Sequence, residues 1–492
     1  MNRIFILPVL WNPGATPEKS EEKNMVFLQE RIGKLIDELG SLICTQHREI
    51  GTYRMLHTDE RFEDIAHLDT SSWKEFHSSE IWGGHRDYYW FETTVTIPEE
   101  LDGQCVGYSV TTGREAEGEA TNPQFTIYVN GEQVQGLDVN HRDVILTEKA
   151  KSGARYRIVL SAFTGDSNFS LLLKTTICAL DRRTEKYYYD LFVPYRVACM
   201  LSPESQEYIQ IITSLNESLN LLDLRKPFSE EYYRTLELAQ RQLTAQFYGK
   251  LCGHNSPKVR CIGHTHIDVA WMWTLAVTED KAVRSFSTVL ELMDRYPEYI
   301  FMSSQPQLYK YVKKNAPKVY EKIKERVKEG RWEPEGGMFV EADCNLSSGE
   351  SLVRQVLHGK RFFRQEFGKD NEILWLPDVF GYSAALPQIM KKSGLNYFMT
   401  TKISWNEFNK MPYDTFEWEG IDGTKVLTHF IPTRDFNAEV VAGATETEHF
   451  TTYNGDLTPS QVKGGWQRYQ QKHLGDEVLM CYGYGDGGGG PT

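Results

Sequence analysis

Apolar residues along this 492-residue chain change their spacing repeatedly, and each change marks a different kind of structure. From Met25 to Leu42, Phe27, Leu28, Ile32, Leu35, Ile36, Leu39 and Leu42 recur at helical intervals, and Gly40 weakens the end of that helix. Between Trp82 and about Leu180 the period drops to two, as in Tyr89–Ile97, Phe125–Val129 and Tyr156–Leu160. Asn130-Gly131, directly after Val129, predicts a two-residue hairpin, because both central positions of that turn need positive φ. Short strands and turns at this density predict a β-sandwich. Trp82, Tyr88 and Trp90 within it invite a carbohydrate-binding reading, but core packing accounts for them better. Helical spacing returns from about Tyr187 to Leu251, with a stripe at Ile209, Ile212, Leu215, Leu219 and Leu222. Lys226-Pro227-Phe228-Ser229 interrupts it, and Ser229 starts a new helix.

From Val259 onward strands and helices alternate. Helices are expected at about Ala276–Arg295, Lys318–Glu329, Gly349–Phe367 and Leu386–Ser393, with strands at Val259–Ile262, Phe301–Ser304, Ile373–Leu376 and Tyr397–Thr401. Such alternation implies right-handed crossovers and an α/β domain with a mostly parallel sheet or a seven-stranded β/α barrel. The chain therefore divides into an extension at 1–24, either disordered or a misassigned start, and a helix with a β-sandwich at 25–186. A helical connector follows at 187–257, then the α/β domain at 258–492.

Candidate chemistry sits where two of the expected strands end. Val259, Cys261 and Ile262 read as a buried strand, and His264, His266 and Asp268 follow at two-residue intervals. On extended backbone such residues project to one side, so all three can face one point. Imidazole nitrogen and carboxylate oxygen suit a divalent ion of zinc type, although H-x-H segments also occur with histidines that bind no metal. Trp375-Leu376-Pro377-Asp378 ends a second apolar run on another carboxylate. Ligands at strand ends fit the rule that α/β folds carry their chemistry at the carboxyl edge of the sheet. Trp271 follows Asp268 closely, and an indole is a platform for the apolar face of a sugar.

Three stretches, Gly263–Trp271 (GHTHIDVAW), Arg331–Asn345 (RWEPEGGMFVEADCN) and Trp375–Ser383 (WLPDVFGYS), together resemble the α-mannosidases of glycoside hydrolase family 38. The branch is the one with cytosolic, vacuolar and bacterial enzymes, and the likeness runs from about Met25 to Thr492. It implies a retaining, zinc-dependent α-mannosidase acting on mannose-containing oligosaccharides. By this resemblance His266, Asp268 and Asp378 bind one zinc ion, and Asp378 is also the nucleophile. Trp271 becomes the sugar platform, Lys402 a basic residue near the nucleophile, and His264 a hydrogen-bonding neighbour rather than a ligand. A solvated strand-end role for Lys402 stands equally beside that one. Asp486, between Gly485 and Gly487, is the acid/base candidate, against a plain structural turn. Glu335, Glu341 and Asp343 either line the pocket or make turns.

The family's fourth zinc ligand and its later domains lie beyond the position of Thr492. The resemblance therefore covers an N-terminal half, expected to bind zinc loosely and cleave poorly alone unless His429 or Asp486 completes the site. A metal suits mannose, whose axial 2-hydroxyl is cis to O3, so that the pair can chelate one ion.

Charge and cysteine usage narrow the setting. With 54 Lys and Arg against 68 Asp and Glu, the net charge is -14, which argues against nucleic acid or an anionic membrane as partner and suits a neutral glycan. Eight scattered cysteines without a C-x-x-C favour reduced thiols in a cytoplasm over a disulfide framework. No apolar run approaches the ~20 residues that span a bilayer. The Ile4–Trp11 stretch, broken by Pro8, makes a poor signal peptide. A cytoplasmic enzyme is the expectation, and the resemblance implies a family in which homo-oligomers are common. Against it stand a catalytically inactive mannoside-binding fragment and another zinc hydrolase of deacetylase type.

Overall fold

The computed structural model describes residues 26–113, 123–253, 257–406, 409, 411–436 and 450–492; the extension expected at 1–24 lies outside them. The first helix, Val26–Ile43, turns Ile32, Ile36 and Leu39 inward. They meet Tyr187 and Leu191 of Arg182–Ala198, Ile212 and Leu215 of Gln206–Leu219, and Tyr232 and Leu236 of Glu230–Leu243 in one core. Ser229 caps the last of these by accepting the Tyr232 amide, the start signal expected of it.

Two antiparallel sheets share a second core. One has the strands Cys44–Ile50, Lys174–Leu180, Cys105–Thr111 and Asp143–Thr147 in that order; the other runs Lys74–His77, Thr52–His57, Tyr88–Thr96, Arg155–Phe163, Gln124–Val129, Glu132–Leu137. Phe91, Phe125, Ile127 and Leu160 from the second sheet pack against Val106, Tyr108 and Ile177 from the first. The hairpin turn falls where expected, with φ of 52° at Asn130 and 87° at Gly131. Trp82 and Trp90 are buried, in keeping with a packing role.

The cysteines depart from expectation. Cys44 and Cys178 form a disulfide with Cα atoms 6.0 Å apart, while Cys105, Cys199, Cys252, Cys261, Cys344 and Cys481 stay free. Cys44 and Cys178 lie 134 residues apart in sequence and meet only because Cys44–Ile50 pairs with Lys174–Leu180. No local spacing could report that.

Past residue 257 the strands turn parallel. Glu477–Tyr482, Lys258–His264, Phe301–Ser303 and Trp332–Pro334 form one parallel sheet; Ile373–Trp375, Tyr397–Thr400 and Lys425–Phe430 form another, with Thr415–Glu419 antiparallel at its edge. A parallel bridge from Gly336 to Leu374 joins the two into one continuous order. Strand Lys258–His264 is less buried than its apolar run implied: Arg260 and Cys261 are exposed, and Arg260 pairs with Glu477 across the neighbouring strand at 2.7 Å. Only Gly263 and His264, where the chemistry begins, are buried.

Helices Leu275–Arg295, Pro317–Lys328, Gly349–Phe367 and Leu386–Lys392 match the expected ones within a few residues. Two unexpected helices, Pro306–Asn315 and Pro459–Arg468, both begin on proline, a first-turn signal passed over in the sequence.

Trp332 shows how tightly this domain is packed. Its ring lies 4.7 Å from Phe301 and 5.1 Å from Phe286 by centroid, and its indole N–H donates to the Tyr309 hydroxyl at 2.8 Å. Trp332→Ala leaves a large cavity and takes away that donor, so it should cost about 3–5 kcal/mol, read from the urea midpoint at unchanged m-value. A loss under about 1 kcal/mol would mean that the site collapses freely.

Candidate active site and metal centre

Four of the parallel strands deliver a functional side chain just past their carboxyl ends. His266 and Asp268 follow Lys258–His264, Asp378 follows Ile373–Trp375, Lys402 follows Tyr397–Thr400, and Asp486 follows Glu477–Tyr482. One nitrogen of His266 and one oxygen each of Asp268, Asp378 and Asp486 all lie within 4.8 Å of one another. His266 Nε2 is 3.1 Å from Asp268 Oδ1 and 3.5 Å from Asp378 Oδ2. One nitrogen and several carboxylate oxygens converging on a point is a donor set that fits a divalent ion of zinc type.

The other side of the His266 ring meets Glu341, with Nδ1 2.8 Å from Oε2. Such a carboxylate fixes the ring orientation and keeps Nε2 toward the other ligands. Glu341 is itself held by the Ser304 hydroxyl at 2.5 Å and, through its amide, by Gln305 Oε1 at 3.2 Å. Burial opposes protonation of His266, but Glu341 and Asp268 outweigh it and raise its pKa well above the ordinary value.

His264 turns away from this cluster. The strand ends at His264, so the two-residue alternation expected to carry it beside His266 stops there. Its Nε2 accepts the Trp375 indole N–H at 3.1 Å, and burial, followed by the nearby His266, pushes its pKa down to about 3. It is a neutral acceptor that ties strand Lys258–His264 to strand Ile373–Trp375, which are not adjacent in the sheet order.

Asp378 sits between opposing influences. Lys402 Nζ lies 2.7 Å from its Oδ1, and both side chains are about nine-tenths buried. Burial raises the Asp378 pKa and Asp486 adds to the rise, while His266 and Lys402 act against it. The Lys402 ammonium also lies 3.7 Å from the Trp405 ring centre and 5.0 Å from that of Phe380. Lys402 is therefore buried against Asp378 and two aromatic rings rather than solvated at the strand end.

Asp486 adopts φ of 54° on a glycine loop, and its carbonyl accepts the Asp268 amide at 2.9 Å. The Tyr453 hydroxyl donates to Asp486 Oδ1. Burial and then Asp486 hold the pKa of Tyr453 far above the usual phenol range, so that hydroxyl keeps its proton.

Among the remaining candidates, Glu335 and Asp343 make turns. Glu335 accepts the Gly336 and Ile373 amides, and Asp343 those of Asn345 and Leu346. His429 stays outside the cluster: its Nδ1 meets the Thr415 hydroxyl at 2.8 Å, and burial lowers its pKa to about 4. Trp271 is 56% exposed and meets Trp273 edge-on at 5.8 Å. Phe380 and Trp405, at 69% and 51% exposed, join it as large aromatic surfaces left open to a ligand. Tyr453, Phe380, Trp405 and Ser304 were not singled out in the sequence. Phe380 alone had a signal, standing two residues after Asp378.

With this geometry in view, the comparison with known proteins is specific. Residues 256–492 match the glycosyl hydrolases family 38 N-terminal domain. The chain is similar to alpha-mannosidase G of Dictyostelium discoideum, 34% identical over 88% of this chain and 39% of that protein. Alpha-mannosidase 2C1 of Homo sapiens is 34% identical over 82% of this chain and 37% of its own length. The alpha-mannosidase of Saccharomyces cerevisiae is 35% identical over 88% of this chain and 40% of its own. The chain thus spans under half the length of each relative. Among the described residues no helix is long and apolar enough to cross a membrane.

Proposed function

We propose that this chain carries the active site of a retaining, zinc-dependent α-mannosidase that removes terminal α-linked mannose from oligosaccharides. The observation that carries the reading is the meeting of Asp378 and Asp486 with the metal-type donors His266 and Asp268 within 4.8 Å. Retaining glycosidases need two carboxyl groups about 5–5.5 Å apart, whereas inverting ones hold them about 6.5–9.5 Å apart to admit a water. The close approach of Asp378 and Asp486 supports retention.

In this reading Asp378 attacks the anomeric carbon while Asp486 gives its proton to the departing glycosidic oxygen. A covalent mannosyl–Asp378 ester results. Asp486, now a carboxylate, takes a proton from water, and that water frees the sugar with its original configuration. The Tyr453 hydroxyl orients Asp486, and Lys402 holds Asp378 in place from the side away from His266. His266, Asp268 and Asp378 would hold the zinc ion, which when bound keeps Asp378 ionised and fixes the cis hydroxyls of mannose. Trp271 supplies a stacking surface for the sugar. The same reading takes the parallel strands as the wall of a β/α barrel and the two antiparallel sheets as a β-sandwich set before it.

Proton NMR of a reaction in progress tests this. An aryl α-mannoside should release α-mannose first, with the β anomer appearing only by mutarotation. β-Mannose as the first product, or no cleavage by the full-length protein with zinc present, contradicts the reading.

A further inference from the structure

The loop that carries Asp486 is almost free of side chains, with glycine at 485, 487, 488, 489 and 490. Glycine backbone has wide conformational freedom, so such a loop does little to fix its own shape. It closes on itself through Tyr484 and Gly490, whose amides and carbonyls pair at 2.9 and 3.1 Å, and through the Gly487 amide, which donates to the Gly485 carbonyl at 2.7 Å. The remaining restraints come from outside, and several come from distant parts of the chain.

Arg284, on helix Leu275–Arg295, donates through Nη2 to the Gly487 carbonyl at 3.0 Å, one residue past Asp486. Its Nη1 pairs with Asp138 Oδ2. Asp138 begins the connection between strands Glu132–Leu137 and Asp143–Thr147 of the antiparallel sheets. Its Oδ1 accepts the amides of Asn140 and His141 at 2.9 Å and faces His141 Nδ1 at 3.0 Å. His141 Nε2 lies 2.7 Å from the Pro491 carbonyl. A carbonyl and a carboxylate can only accept, so both ring nitrogens donate and the imidazole is a cation. Ser285 adds a further tie by accepting the Gly489 amide at 2.8 Å.

The side chains of Asp138, His141 and Arg284 are only 4–6% exposed. Among the described residues Arg284 Nε has no hydrogen-bond partner, but its other two nitrogens, both Asp138 oxygens and both His141 nitrogens are engaged. A buried ionic network with its charges paired rigidifies its surroundings, whereas one with a charge left unpaired is strongly disfavoured. Gly136 shows that the sequence makes room for it, because an added Cβ there would sit 1.8 Å from Arg284 Cγ.

We propose that Asp138, His141 and Arg284 form an ionic clamp that positions Asp486, which makes the antiparallel sheets a working part of the active site. These three are positioning residues, and the proposal rests on the reading of Asp486 as the acid. Its test uses the full-length protein with Asp138→Asn and, as a milder change that keeps the charge, Arg284→Lys. Amide hydrogen exchange in peptides spanning 483–492 should accelerate about tenfold or more, while peptides spanning 373–383 stay unchanged. Turnover of an alkyl α-mannoside, whose poor leaving group needs the proton, should fall by about 10²-fold. For a dinitrophenyl α-mannoside, whose leaving group needs none, kcat/KM should hold, because that ratio covers only the steps up to the glycosyl-enzyme and not the base-assisted release. Equal losses of kcat/KM on both substrates, or unchanged exchange at 483–492 in both variants, overturn the clamp. A parent protein that cleaves neither mannoside sinks the reading of Asp486 as acid, and the exchange result still decides whether the three residues hold the loop.

Discussion

Asp378→Ala should reduce α-mannoside turnover by about 10³-fold or more, and zinc in excess should not restore it. The residue has two separable duties in the proposed mechanism. As a ligand its loss weakens the metal, which more zinc can offset. As the group that forms the ester its loss removes a covalent step, which no metal can replace. Its surroundings show how the two duties divide, with Oδ2 toward His266 at 3.5 Å and Oδ1 toward Lys402 at 2.7 Å. Added azide supplies an outside nucleophile, so with a dinitrophenyl α-mannoside the variant should form β-mannosyl azide. Full recovery of turnover by zinc alone would reduce Asp378 to a ligand.

Asp268→Ala should weaken zinc binding by at least about 10²-fold while leaving the fold intact. Stability is spared because the main chain of Asp268, not its carboxylate, ties the loop together. Its amide donates to the Asp486 carbonyl at 2.9 Å, and its carbonyl accepts the Trp273 indole N–H at 3.3 Å. Alanine keeps both. Elemental analysis should find little zinc in a variant with an unchanged thermal midpoint. Full occupancy would remove Asp268 from the ligand set.

The parts of this site that lay within one strand end could be read from the chain. His266, Asp268 and Trp271 fall inside nine residues, and Asp378 stands in a second apolar run of the same type. What separates His266 from His264 comes from the family resemblance and not from their spacing, because it depends on where the strand stops and on the indole of Trp375 beyond it. Glu341 is indistinguishable in sequence from Glu335 and Asp343, since three carboxylates in one turn-rich stretch look alike until one faces an imidazole. Tyr453 and Trp405 reach the site from loops with no periodicity, so no pattern flags them.

The same logic applies to the fold. The hairpin at Asn130-Gly131 was legible because its backbone demands those residues. The Cys44–Cys178 bond and the Asp138–Arg284 pair depend on strand pairing and helix packing over more than a hundred residues, and local sequence carries no record of either.

Covalent trapping tests the central claim most directly. A 2-deoxy-2-fluoro-mannosyl fluoride forms the ester quickly and releases it slowly, because the fluorine disfavours the cationic character of the transition state. After incubation with the full-length protein and proteolysis, the sugar mass should appear on the peptide containing Asp378, on that residue itself. A label on Asp268 or Asp486, or an inactivated protein with no labelled peptide, would contradict the account.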